Sequence, residues 1–225
     1  MEINMNITGA IFDMDGTLVD SLGYWDLLWK HLGEKYFNDP SFRPDSITEK
    51  AVRTTTLSDA ALLIHKNCKI GKTHEEVKKI TDDMIDYYYA SVVQLKSGVI
   101  DFLEHLKKRG VKMCVASATA PNFIAVLMKK FNLDRYFSRV ISCSEVGKGK
   151  ESPDVFVFAH NYLGTPKEST WIFEDSIVAI ETAHRAGYNT VGIYDSHNFE
   201  LERVKKISSI YIGEENSLAE LIEQI

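Results

Sequence analysis

Residues Thr8–Thr17, TGAIFDMDGT, decide how the rest of the chain is read. A short apolar run ends on a carboxylate, Asp13, and a second carboxylate follows two positions on at Asp15. Apolar runs bounded by turn residues read as strands, and Asp15-Gly16 supplies the turn. Turn chemistry explains Asp15 but gives no reason for an acid directly ending an apolar strand. Two carboxylates about 4 Å apart repel by roughly 4 kcal/mol at an effective dielectric of 20. A strand end is a poor place for them unless something positive, or a reaction, needs them.

Beyond this stretch the pattern changes. From about Ser21 to Val93 the chain carries helical periodicity and no convincing strand. Ser21 is placed to cap a helix in which Trp25, Leu28, Trp29 and Leu32 recur at three- and four-residue steps. Further helices are expected over Thr48–Arg53, Ser58–Asn67 and Thr73–Ser91, the last two opened by Ser58 and by a Thr73-x-x-Glu76 box. After Gly98 strands in VKMCVASA, SRVISC, TWIFED, NTVGIYD and SSIYIG alternate with amphipathic helices, the last opened by a Ser217-x-x-Glu220 box. Such alternation predicts a parallel sheet covered on both faces. The expected fold class is therefore α/β: a Rossmann-like core from residues 1–19 and 95–225, interrupted by an inserted all-α domain over residues 20–94.

Composition narrows the function classes. The net charge is −6 with signs mixed along the chain, and no Lys/Arg run is long enough for a nucleic-acid footprint. Lys107-Lys108-Arg109 and Lys129-Lys130 sit near expected helix ends, where they complement the dipole. No apolar run approaches the roughly 20 residues that span a bilayer, and MEINMNITG lacks the pattern of a secretion signal. Cys68, Cys114 and Cys143 show no metal-type spacing, and their odd number fits reduced thiols. The expectation is a cytoplasmic protein with no nucleic-acid or membrane partner.

Ligands of open parallel sheets bind beyond the carboxyl ends of the strands. Asp13 and Asp15 stand at the first such end, Ser117-Ala118-Thr119 at the second, Lys148 and Lys150 in the loop after the third, and Glu174-Asp175 at the fourth. Each has a plainer role available. Asp15 suits a turn, Ser117, Thr119 and Asp175 suit helix caps, and a loop lysine is usually solvated. Taken together, those roles leave the shared rim unexplained. Four carboxylates there call for cations: Lys150 offsets part of the charge, and a hard oxygen-seeking ion such as Mg²⁺ beside a phosphate offsets more.

These residues carry a resemblance. FDMDGTLVDS, VASAT, GKGKESPDVF and FEDSIVAIETAHRAG, in that order, resemble the four motifs of the haloacid dehalogenase (HAD) superfamily. The insertion after the first motif resembles the helical cap of its subclass I, in the group containing beta-phosphoglucomutase and phosphoglycolate phosphatase. The resemblance implies an Mg²⁺-dependent phosphatase acting on a small phosphorylated metabolite, with Asp13 as nucleophile through an aspartyl-phosphate and Asp15 as acid and base. It further implies phosphate binding by Ser117, Thr119 and Lys150, and metal binding by Asp13, Asp175, the Asp15 carbonyl and Glu174. Glu151 departs from the more usual proline after the loop lysine. Tyr24 or Trp25 is expected near the substrate and Trp29 in the core. The monomer or a weak homodimer is expected.

Two other readings compete. A sugar phosphomutase of the beta-phosphoglucomutase kind resembles the chain nearly as well. Its cap histidine is replaced here by Trp25, however, and Arg53 is the nearest match to its basic cap residues. A catalytically silent binding protein would show decay in at least one motif, and all four are chemically competent.

Overall fold

A computed structural model of the chain describes residues 5–53 and 55–225. Its strands are β1 (Gly9–Phe12), β2 (Val19–Asp20), β3 (Gln94–Leu95), β4 (Lys112–Ser117), β5 (Val140–Ser142), β6 (Thr170–Glu174), β7 (Asn189–Ile193) and β8 (Ile210–Ile212). Its α-helices are α1 (Tyr24–Phe37), α2 (Ser46–Arg53), α3 (Leu57–Cys68), α4 (His74–Tyr87), α5 (Val99–Lys108), α6 (Pro121–Lys130), α7 (Cys143–Val146), α8 (Asp154–Leu163), α9 (Ile177–Arg185) and α10 (Leu201–Ile207). The chain divides into two compact units: residues up to 22 together with 93–225, and residues 23–92.

The first unit holds a six-stranded sheet in the order β5-β4-β1-β6-β7-β8. All its pairings are parallel. Every residue of β1 and β6 is buried, as expected of strands covered on both faces. The chain steps from β1 to β4 and β5 on one side, then returns to build β6, β7 and β8 on the other. With right-handed crossovers, that reversal sends the connecting helices to opposite faces. It also leaves a crevice at the carboxyl end of β1, where winding changes direction. In a separate two-stranded ribbon, β2 pairs antiparallel with β3, Val19 opposite Leu95 and Asp20 opposite Gln94.

An aromatic layer lies under that crevice. Parallel register sets Phe12 opposite Phe173, and their rings stack with centroids 4.3 Å apart. Phe102 and Phe137 meet the Phe12 ring edge-on at 6.3 and 5.7 Å. The residues that follow Phe12 and Phe173 in sequence are Asp13 and Glu174, so packing below the rim fixes the carboxyl groups above it.

The second unit contains α1 to α4 and a π-helical turn over Tyr88–Val92. Its caps differ in part from the sequence expectation. Helix α1 opens at Tyr24 behind Gly23, and the Ser21 hydroxyl is buried without a hydrogen-bond partner instead of capping it. In α3 the cap is Thr56, not Ser58, because Thr56 Oγ1 accepts from the Asp59 N–H at 3.2 Å and donates back to Asp59 Oδ2. Thr73 caps α4 by accepting from the Glu76 N–H. The Ser217-Glu220 capping box forms with both bonds present, but it opens a 3-10 segment over Leu218–Gln224. Trp29 is fully buried.

Truncating Phe12 removes a ring held on three sides. Phe12→Ala is expected to lower the unfolding free energy by about 3–5 kcal/mol, read from chemical denaturation. A loss below 1 kcal/mol would contradict the aromatic layer's role.

Candidate active site

The β1–β6 register sets the geometry. The Asp13 N–H continues the ladder by donating to the Phe173 carbonyl at 3.0 Å, which brings Asp13 beside Glu174. Asp13, Glu174 and Asp175 are all buried, and each offers a carboxyl oxygen within 4.8 Å of the others. The Lys150 ammonium donates to Asp13 Oδ1 at 2.5 Å and also to Glu174 Oε1. It is itself almost fully buried, so the bridge is desolvated.

Each acid has further partners. Glu174 Oε2 accepts from the backbone N–H groups of Asp175 and Ser176 at 3.0 and 3.1 Å. Asp175 Oδ1 accepts from the Thr17 hydroxyl at 3.0 Å, and Oδ2 from the Asn198 amide at 2.5 Å. Asp175 therefore does not spend its carboxyl capping α9, whose N-cap position is Ser176 with no side-chain cap bond. Gly16 makes this approach possible: its φ is +76°, and a Cβ there would lie 2.5 Å from Asp175 Oδ2.

The electrostatics are left unbalanced. Burial pushes the Asp13 carboxyl up, Lys150 pulls it down, and Glu174 and Asp15 push it up again, to about 7. Asp175 is raised as well, by burial first and then by Glu174 and Asp13. Burial opposes the charge on Lys150, but Asp13 and Glu174 outweigh it and hold the ammonium well above the usual lysine range. One ammonium thus faces three buried carboxyl groups. Hard carboxyl oxygens in an under-neutralised cluster are a donor set that fits Mg²⁺.

The remaining expected site residues are placed as follows. Asp15 is half-buried, and its Oδ2 accepts from the Thr119 hydroxyl at 2.6 Å. Ser117 is buried at the end of β4, and its Oγ accepts from the Thr119 N–H at 3.1 Å. Exposed Lys148 turns away to pair with half-buried Asp154, which leaves Lys150 as the lysine among the carboxyl groups. At the non-proline position, Glu151 Oε1 accepts from the Gly149 N–H and closes the lysine loop by its side chain. Tyr24 and Trp25 belong to the other unit. Tyr24 is buried there with its hydroxyl donated to the Thr81 carbonyl at 3.0 Å, so it serves that unit's core; Trp25 packs edge-on against it and stays half-buried.

Two residues of this constellation escape sequence reasoning. Thr17 reads as the tail of a turn, yet it is fully buried and bonded to Asp175. Asn198 lies beyond β7, a fifth strand end of the same sheet. Asp195 at that end is buried, pairs with Lys96 at 2.8 Å and accepts from the His197 N–H, so it shapes the loop that presents Asn198. The strand NTVGIYD terminating in an aspartate is the signal that points there.

A doubly wound parallel sheet that gathers buried acids and a lysine at the carboxyl end of its central strand defines an α/β enzyme with a strand-end aspartate centre. The chain belongs to the haloacid dehalogenase-like hydrolase family, whose sequence profile matches residues 10–193. Among curated relatives it is 23% identical over 190 residues to the phosphorylated carbohydrates phosphatase of Thermotoga maritima, covering 84% of this chain and 86% of that one. It is 27% identical over 200 residues to the phosphoglycolate phosphatase of Pseudomonas fluorescens, covering 84% of this chain and 70% of that one. The crystal structure of CbbY from Rhodobacter sphaeroides in complex with phosphate shares the fold with a TM-score of 0.75 at 19% identity, over 96% of each chain.

The raised Asp13 carboxyl has a stability consequence. Its native pKa lies above its unfolded value, so its contribution is fully present below about pH 4 and is lost as pH rises through about 7. In chelator-treated protein, Asp13→Asn is expected to be more stable than the parent at pH 8, by on the order of 3 kcal/mol. The gap should close toward pH 4. Thermal unfolding of both proteins across that range checks it, and a gap independent of pH would contradict the reading.

Proposed function

We propose that the protein is a Mg²⁺-dependent phosphatase that hydrolyses a small phosphorylated metabolite, a sugar or polyol phosphate, through an aspartyl-phosphate on Asp13. The observation that carries this reading is the Lys150 ammonium bridging Asp13 and Glu174 beside Asp175. An aspartate held at the end of a central strand, against a lysine and under-neutralised by it, is equipped to meet a phosphoryl group and a cation. The two curated relatives named above, both phosphatases, support it further.

In this reading an Asp13 carboxylate oxygen attacks phosphorus as the bond from phosphorus to the alcohol oxygen breaks. Asp15 gives its proton to the departing alcohol. Asp15 then takes a proton from water, whose oxygen attacks phosphorus and frees Asp13 with release of inorganic phosphate. Lys150 lies against the Asp13 carboxyl and offsets the charge of the incoming phosphoryl oxygens. Ser117, buried at the neighbouring strand end, would hold one of those oxygens. Asp13, Asp175, the Asp15 carbonyl and Glu174 would hold Mg²⁺, which when bound supplies positive charge to the phosphoryl oxygens. The helical unit is the cap in this reading and carries the choice of alcohol. Arg53, the nearest match to a second-phosphate clamp, already pairs with Glu49 at 2.7 Å and Asp26 at 3.6 Å, which favours hydrolysis over a mutase.

Purified protein is expected to release inorganic phosphate from p-nitrophenyl phosphate with Mg²⁺ and to stop on chelation. Asp13→Asn should lower kcat by a factor on the order of 10³ or more. No release above that variant's level would refute the phosphatase reading. Isomerised sugar phosphate without free phosphate, across a panel of sugar monophosphates, would establish the mutase instead.

A further inference from the structure

The hydroxyl of Thr119 has a single proton, and it is committed. A threonine hydroxyl is one donor with two acceptor lone pairs. Thr119 Oγ1 gives its hydrogen to Asp15 Oδ2 at 2.6 Å, a short O–H···O bond. It therefore cannot donate to a phosphoryl oxygen while that bond stands, which is the role the family resemblance implies for it. The residue is also held from behind, since its N–H donates to Ser117 Oγ at 3.1 Å in the turn that ends β4. A strand end on one side of β1 thus reaches the second aspartate of the motif on β1.

We infer that Thr119 is a positioning residue for Asp15, fixing which carboxyl oxygen delivers the proton to the departing alcohol. With Oδ2 tied to the threonine hydroxyl, the proton that Asp15 transfers resides on Oδ1. The hydrogen bond also holds the half-buried carboxyl in one orientation, where a free side chain would sample several at a cost in rotamer entropy. A misplacement of about 1 Å at a transferring group is enough to cost on the order of 10²-fold in rate. The proton balance stays simple: it leaves Asp15 Oδ1, arrives on the alcohol oxygen as the phosphorus–oxygen bond breaks, and returns to Asp15 from water. Thr119 keeps its own proton throughout. This inference rests on the reading of Asp15 as the acid and base of a phosphatase.

Leaving groups separate a positioning role from a structural one. A p-nitrophenolate departs with little help, whereas an alkoxide needs the acid, and general acid catalysis contributes typically 10²–10⁴-fold. Thr119→Val and Thr119→Ser should be compared with the parent on p-nitrophenyl phosphate and on the best alkyl monophosphate from a sugar- and polyol-phosphate panel. The readout is kcat/KM, which covers the steps through alcohol departure. Thr119→Val is expected to lose roughly 10² on the alkyl phosphate and less than about fivefold on p-nitrophenyl phosphate, with Thr119→Ser near the parent on both. Inhibition by inorganic phosphate should be unchanged. Equal losses on the two substrates, no loss on either, or a raised inhibition constant for inorganic phosphate would each overturn the inference while leaving the phosphatase reading intact. A parent protein that hydrolyses neither substrate would overturn both.

Discussion

At the carboxyl ends of β1 and β6, buried Asp13, Glu174 and Asp175 gather beside the Lys150 ammonium, and the unit around them is organised to hold that imbalance. Buried charge is tolerated only when paired and hydrogen-bonded. Lys150 bridges two of the acids, backbone amides serve Glu174, and Thr17 with Asn198 serves Asp175. Even so, Asp13 and Asp175 stay above the ordinary carboxylate range. The repulsion left in such a cluster is relieved by protons as the pH falls, and a cation would relieve it at higher pH.

The sheet supplies the rigidity that such a cluster needs. Stacked Phe12 and Phe173 sit one residue before Asp13 and Glu174, so the acids cannot drift apart without disturbing a well-packed layer. Gly16 gives the complementary freedom, since its missing side chain is what lets Asp175 close in. A dense floor and an open turn act together: one prevents separation and the other permits approach.

Much of this is legible in the sequence because strand-end chemistry is local. An apolar run followed by Asp13, a loop lysine at Lys150 and the Glu174-Asp175 pair announce themselves without long-range information, and the alternation after Gly98 gives the sheet. What the sequence withholds depends on contacts between distant residues. The bond from Thr119 to Asp15 joins strand ends far apart in the chain, and Asn198 reaches Asp175 from the separate loop after β7. Cap choice is similarly hidden: Ser58 and Thr56 are both good capping residues, and only the bond to Asp59 selects Thr56. Tyr24 shows a further limit, for helical periodicity says which residues share a face but not that a tyrosine hydroxyl has found the Thr81 carbonyl.

The short ribbon of β2 and β3 bears on the order of folding. Pairing Gly9 with Lys112 closes a loop of roughly 100 residues, and closure entropy grows as (3/2)RT ln of loop length. Residues 23–92 leave and rejoin the sheet unit through strands that pair directly, Asp20 against Gln94. A helical unit that forms first, with its two ends tied side by side, removes most of that loop from the search. The chain left to close is about 30 residues, which lowers the entropic cost by about 1 kcal/mol. The ribbon thus offsets part of the closure cost that the inserted helical unit brings to assembly of the sheet.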